Sequence, residues 1–549
     1  MFTSVRTSIA MLAAPTSLHR SPGLLIFWCS LIVAMVWILI TPTLGRSLWI
    51  DEVMAMANYP LPVWTDAFGP LPFYSQSAPP GYSLMLNMVA NSPPEVLRQL
   101  HAIAILVLVF SVPVRFGYPL RTFIAIALLF LLEPTILRYA TEIKYYGLEM
   151  AAVCACTAWG LTKSKERPIR SADVLFLSAL LCLGNLILVA VIVTFSVVLL
   201  LRLSQGLTRT EVLWSSLFFV IAAAVFMLAQ HISSLQVHNY PYACDFAGWD
   251  SVNRVVSLLG GILSDAPFYL IVLLLVLGLI TGRWGPVLTW CLILALFVAS
   301  LLLLAFLGRF PATHPRHIIA VLGVVLALPI AVFRPAPTLP WPLVSALGGG
   351  ALAFVVFAGG LLQIARIYEE YWRTSFLFQD DDNVALTEWI ADIPPTTIAL
   401  WHGALPAIRY YQRFAPELAK HDYRYVLNDL SGRVDPEFFA AASGNRSYDD
   451  VAAQIEGQID APGAWSRFVS VYTIYRDFNA PAKTLLEELA EDGSFLIAAS
   501  RMHGGIGGAG TGFRTQGLLD TLHAASCAWS VAMNSKKVYV LEVQCPPLR

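Results

Sequence analysis

Long apolar runs dominate the first two thirds of this chain, at 22–42, 100–114, 122–136, 146–161, 213–233, 266–282, 287–307, 317–333 and 342–364. About 20 apolar residues cross a bilayer as a helix. In lipid every backbone polar group must be satisfied within the protein, so such a chain folds as a bundle of helices. A further stretch, 172–201, is too long for one upright helix and short for two, and it predicts two shortened helices turning near Gly184-Asn185. About eleven spans follow. The first run is too long for a cleavable h-region and lacks a small-x-small site, which predicts a retained anchor.

Charge agrees with this reading. Only 13% of the 549 residues are charged and the mean hydropathy is +0.66, whereas a soluble domain carries about 25% charged residues. A wholly soluble enzyme is excluded, and a net charge of −1 argues against a nucleic-acid partner. That near-neutrality conceals two regions. Residues 1–365 hold 19 Lys/Arg against 13 Asp/Glu, and residues 366–549 hold 16 against 23. With the N-terminus inside, twelve of the 19 cations fall on the inner side and seven outside, as the positive-inside rule prefers. The loop Lys163–Arg170 weighs most. This orientation puts a long first loop, 43–99, on the outer face, together with 134–145, 234–265 and everything after 365.

The region 366–549 alternates helical and extended signals. Helices are expected at 384–393, 404–414 and 482–492, and strands at 397–401, 467–475, 494–500 and 538–543. The fold class is therefore a multi-span α-helical membrane region, 1–365, followed by a small soluble α/β domain, 366–549. Cys527 and Cys545 can pair if that domain faces an oxidising compartment. Gly505-Ile-Gly507-Gly-Ala-Gly510 has the form of a dinucleotide fingerprint, but it lacks a tight strand-to-helix context and an acidic residue at the right distance. It reads as a loop. His231, His238, Cys244 and Asp245 match no zinc spacing.

Three outer segments concentrate chemistry. The first opens Leu48-Trp-Ile-Asp51-Glu52 and closes Pro79-Pro80-Gly-Tyr82; its paired carboxylates mark either a solvated helix exit or a site. The second runs from Glu133 through Arg138 to Glu142-Ile-Lys144-Tyr145-Tyr146, and the third contains Arg309, His314, Arg316 and His317. Cations on the disfavoured side either snorkel to the interface or receive an anion, and a guanidinium matches a phosphate with its planar fork.

The order of these pieces resembles the membrane-embedded glycosyltransferases of the GT-C type, and most closely the bacterial branch related to protein O-mannosyltransferases and the aminoarabinose transferase of lipid A. An Asp-Glu motif follows the first span, a Pro-Pro element with a nearby aromatic ends the first loop, and a Glu-x-Arg-x-Tyr-like element opens a later span. Here Lys144 replaces the usual Arg, and Arg316-His317 stands where an Arg-Tyr pair opens a late span. The resemblance covers roughly residues 20–365 and implies transfer of a sugar from a polyprenyl-phosphate donor on the outer face of a bacterial inner membrane. Asp51 is expected as general base and Glu52 as its neighbour, raising its basicity or holding an acceptor. Arg138, Lys144, Arg316 and His317 are expected around the donor phosphate, and Tyr82, Tyr145 and Tyr146 around the substrate. The acceptor is a lipid, glycan or protein hydroxyl. No cofactor is implied; dependence on a divalent cation stays open, since two acids alone make a poor metal site. The alternative is a transporter or flippase of lipid-linked sugars, which would favour inverted repeats and charges near the membrane midplane.

Overall fold

The computed structural model describes residues 22–40, 48, 50–56, 58–61, 63–68, 78–163, 168–237, 248–263, 265–310, 315–334, 383–402, 404–425, 494–500, 519–520, 522–535 and 538–546. After α1 (Pro22–Ile40) come the short α2 (Ile50–Met56), α3 (Pro80–Val89) and α4 (Pro94–Arg115). Then follow α5 (Leu120–Leu132), α6 (Pro134–Thr141), α7 (Tyr145–Lys163), α8 (Ser171–Leu181), α9 (Ile187–Leu203) and α10 (Arg209–Val237). The helical part continues with α11 (Trp249–Gly261), α12 (Asp265–Ile280), α13 (Trp284–Phe306), α14 (Ala320–Leu326) and α15 (Leu328–Val332). Proline opens α3, α4 and α6 at the first helical position, where its fixed φ suits the helix and its missing N–H costs nothing.

Among the described residues, α4, α10 and α13 are each long and apolar enough to cross a membrane, and α5 with α6 makes a fourth if that bent pair is counted as one. Helices α8, α9, α12 and α14–α15 are apolar but shorter. The expected turn near Gly184 is present between α8 and α9. The expected run 122–136 does not continue straight: α6 leaves α5 at 85°, because Pro134 follows Glu133 and the residue before a proline is pushed out of the helical region. The run 317–333 is likewise divided, at Ala327 just before Pro329. Residues 249–261, expected within an outer loop, form α11. The run 342–364 lies outside the described residues.

Helix α7 is the centre of the bundle. Its residues from Gly147 to Leu161 are buried, and it packs against α4, α9 and α14. At one end of the bundle the carboxylate of Asp173 accepts from Lys163 Nζ at 2.8 Å, from the Arg170 N–H at 2.8 Å and from Trp159 Nε1 at 3.0 Å. Close by, Glu211 holds Arg202 at 2.9 Å and the Ile169 N–H at 3.2 Å. Lys163, Arg170 and Arg202, all assigned to the inner face from sequence, thus share that end.

The C-terminal part adds α16 (Asn383–Asp392), β1 (Thr397–His402), α17 (Ala404–Tyr411), β2 (Asp422–Tyr425), β3 (Ser494–Ser500), β4 (Ala528–Ser535) and β5 (Val538–Gln544). They form one sheet in the order β2-β1-β3-β5-β4. Strand β1 runs parallel to β2 and β3, and β5 runs antiparallel to β3 and β4. Strands β2 and β4 were not anticipated: β2 is too short for a pattern, and β4 is an exposed edge. A disulfide joins Cys527 to Cys545 at the open end of the β4–β5 hairpin. The expected elements at 467–475 and 482–492 and the glycine loop at 505–510 lie outside the described residues.

Candidate functional site

Helix α2 carries both acidic residues of the first outer segment. Glu52, Val53, Ala55 and Met56 are buried, so this short helix rests on the protein rather than lying free at the interface. Glu52 is fully buried: Oε2 accepts from Arg98 Nη2 at 3.0 Å, and Oε1 accepts from the Ile143 N–H at 2.8 Å. Arg98, one turn into α4, is fully buried as well. One carboxylate therefore ties α2 to α4 and to the turn between α6 and α7. The Asp51 side chain lies outside the described residues; its backbone belongs to α2.

The α6–α7 corner is the second component. Glu133 caps α6, accepting from the Thr135 N–H at 3.0 Å. The corner is tight enough to require a glycine, because a Cβ on Gly147 would lie 2.3 Å from the Tyr139 carbonyl oxygen. This close approach brings aromatic rings together. Tyr145 and Tyr146 stand 4.4 Å apart, and Tyr146 stands 6.1 Å from Tyr139 and 6.2 Å from His317 (ring centroids). Arg138 lies 5.2 Å over Tyr139, and Arg316 lies 5.8 Å over Tyr146. Both guanidinium groups act electrostatically on Tyr139. Tyr82, fully buried on α3, meets Tyr145 at 6.3 Å and His101 at 5.9 Å, and it feels both Glu52 and Glu142. Lys144 sits in the same corner and is buried.

Six of the sequence-expected residues thus form one continuous group: Tyr82, Arg138, Tyr145, Tyr146, Arg316 and His317. Arg138, Arg316, His317 and both tyrosines of the α7 start are half-buried, open enough to meet a ligand and held firmly by ring contacts. The ring faces hold both guanidinium groups in place through cation–π contact. Among the described residues, no three His, Cys, Asp or Glu side chains group as a metal site.

The sequence matches no family model. No curated protein matches it either. Among solved structures it is similar to the crystal structure of ArnT from Cupriavidus metallidurans bound to undecaprenyl phosphate, at 14% identity, covering 94% of this chain and 98% of that one. The TM-score is 0.41. At that level the likeness carries no functional inference.

Sequence reasoning missed a third component, contributed by the C-terminal part. The Leu48 N–H donates to the Tyr411 hydroxyl at 3.2 Å, and Asn383 Nδ2 donates to the Leu48 carbonyl at 2.8 Å. At the other end of α2, Arg413 Nη2 donates to the Met56 carbonyl at 3.2 Å. Burial pushes the Tyr411 phenol well up, so it stays a neutral hydroxyl, and the Glu52 and Arg98 charges both reach it. Asn383, Tyr410 and Tyr411 are buried. No local pattern signals such a contact; it appears only once α17 is seen against α2.

Proposed function

We propose that this chain is a membrane-embedded glycosyltransferase that moves a sugar from a polyprenyl-phosphate donor to an acceptor hydroxyl on the outer face, with inversion. The observation that carries the reading is the gathering of Arg138 and Arg316, from separate elements, around Tyr139 and Tyr146 beside the acidic helix α2. A glycosidase needs a second carboxyl group to protonate an alkoxide. A lipid phosphate leaves as a stable anion and needs positive charge instead, and preorganised cations stabilise the charge that develops in the transition state. Lys144 adds to that charge from the same corner, with His317 beside the phosphate.

Glu52 is engaged by Arg98 and the Ile143 N–H, which makes it the group that orients α2 and leaves Asp51 as the base. Asp51 takes the acceptor proton while the acceptor oxygen bonds to the anomeric carbon. The carbon–oxygen bond to phosphate breaks on the opposite face, and the polyprenyl phosphate departs with the electron pair. Tyr82, Tyr145 and Tyr146 line the sugar, and the acceptor is a lipid, glycan or protein hydroxyl. The inner-face cation excess and the Cys527–Cys545 disulfide, a bond favoured by an oxidising compartment, support a multi-pass protein of a bacterial inner membrane with its C-terminal part outside.

The experiment is transfer in proteoliposomes loaded with labelled polyprenyl-phosphate sugars and a panel of acceptors. The wild type is expected to give a covalent product, and Asp51→Asn to lower its rate by about 10²–10⁴-fold with donor binding retained. Labelled lipid that changes leaflet without forming product would replace this reading with the flippase. Full activity of Asp51→Asn would remove the assigned base.

A further inference from the structure

The turn between α8 and α9 lies at the same end of the bundle as the start of α7. Lys163, Arg170 and Arg202 mark the opposite end of α7, α8 and α9. The 17 residues of α9 and the 19 of α7 rise from that level by about 25–28 Å, and Asn185 meets Tyr145 there. An ionisable group enclosed at such a turn is costly unless it serves a cavity or a pathway.

Two features hold this turn. Glu149 on α7 is fully enclosed and its Oε1 accepts from the Leu186 N–H, with the N–H groups of Asn185 and Ile187 also directed at the carboxylate. The carboxylate can approach because residue 184 is glycine: a Cβ there would lie 2.5 Å from Glu149 Cγ. A turn needed only for packing is served by apolar contacts, without an enclosed ionisable group. What the turn displays is Asn185, its exposed side chain, whose Nδ2 donates to the Tyr145 hydroxyl at 3.1 Å. Tyr145 packs at a tilt against Tyr146, which lies under Arg316.

We propose that Asn185, oriented by Tyr145 and fixed through Glu149, is a specificity residue that bonds a hydroxyl of the donor sugar beside the phosphate-binding cations. The assignment rests on the glycosyltransferase reading. An amide offers both a donor and an acceptor to a hydroxyl, and the flanking tyrosines offer ring faces to the sugar's C–H groups. Glu149 and Gly184 act through the turn and are positioning residues.

The test is equilibrium binding to the full-length protein in nanodiscs. The probes are undecaprenyl phosphate alone and the mannosyl, glucosyl and arabinosyl phosphates of undecaprenol. The wild type is expected to prefer at least one sugar-bearing lipid to the bare lipid. In Asn185→Ala that preference falls roughly five- to tenfold, as loss of a hydrogen bond does, while binding of the bare lipid is kept. Glu149→Gln retains an acceptor oxygen and is expected to keep the preference; Glu149→Ala loses it. The assignment is overturned if Asn185→Ala keeps the preference, if it weakens bare and sugar-bearing lipids equally, or if the wild type prefers no member of the panel. Absence of undecaprenyl phosphate binding by the wild type instead removes the glycosyltransferase reading itself, and this assignment with it.

Discussion

Glu52 and Arg98 show how one buried pair organises a site. Both are fully enclosed, so removing one partner leaves an uncompensated charge, at a cost on the order of 3–5 kcal/mol. Glu52→Gln is expected to lower the thermal unfolding midpoint in detergent. Replacing both residues with apolar side chains, as in Glu52→Leu with Arg98→Met, should recover most of that loss without restoring transfer. The seven outer cations are legible in the sequence, because charge and sidedness are additive properties of a chain. The pairing is not: Glu52 and Arg98 are 46 positions apart, and Arg98 reads as one more cation at a helix start. In the C-terminal part, burial lowers the pKa of His421, although its Nε2 donates to the Ile390 carbonyl. The folded chain thus favours the neutral ring, so the stabilisation present above the unfolded pKa of about 6.5 is lost as pH falls below it. A pH series of unfolding midpoints should decline on the acid side less steeply in His421→Gln than in the wild type.

The decisive element is the corner where α6 meets α7. Its parts are present in the sequence: two cations, three tyrosines and the Glu133-Pro134 step. The cations and tyrosines read as a short outer loop, whereas the Glu133-Pro134 step merges into the apolar run 122–136 because hydropathy averages over the break, although a proline after Glu133 is itself a boundary signal. Helix α11 was hidden differently, since residues 249–261 mix polar and apolar groups and so fail a test for continuous hydrophobicity. The corner also depends on a glycine that no composition argument singles out. Gly147→Ala would set a Cβ 2.3 Å from the Tyr139 carbonyl oxygen and 2.7 Å from Ile105 Cδ1. Forcing extra volume into such a contact costs about 1–3 kcal/mol. Thermal unfolding is expected to register that loss, and donor binding is expected to weaken because Tyr139 and Tyr146 no longer meet.

At the scale of the whole molecule, the C-terminal part grips the acidic helix by its backbone. Tyr411→Phe and Asn383→Ala are expected to raise hydrogen exchange in residues 48–56 by up to about tenfold, the effect of one lost hydrogen bond, with exchange in α7 unchanged. Unaltered exchange in that segment would show that the grip contributes nothing to α2. Of the C-terminal elements, α16, β1, α17, β3 and β5 match the sequence reading to within a few residues; β3 and β5 do so because they are apolar runs bounded by turns. Their docking was not legible, since Asn383, Tyr411 and Arg413 are ordinary residue types until their partners are known. The grip also has a consequence in time. Leu48 and Asn383 are 335 positions apart, so at about 5–20 residues per second the ribosome makes the second roughly 17 to 70 s after the first. The acidic helix therefore waits, unfinished, until the chain has been made as far as Arg413 of its 549 residues. A truncated or stalled product carries its carboxylates without the part that sets them in place.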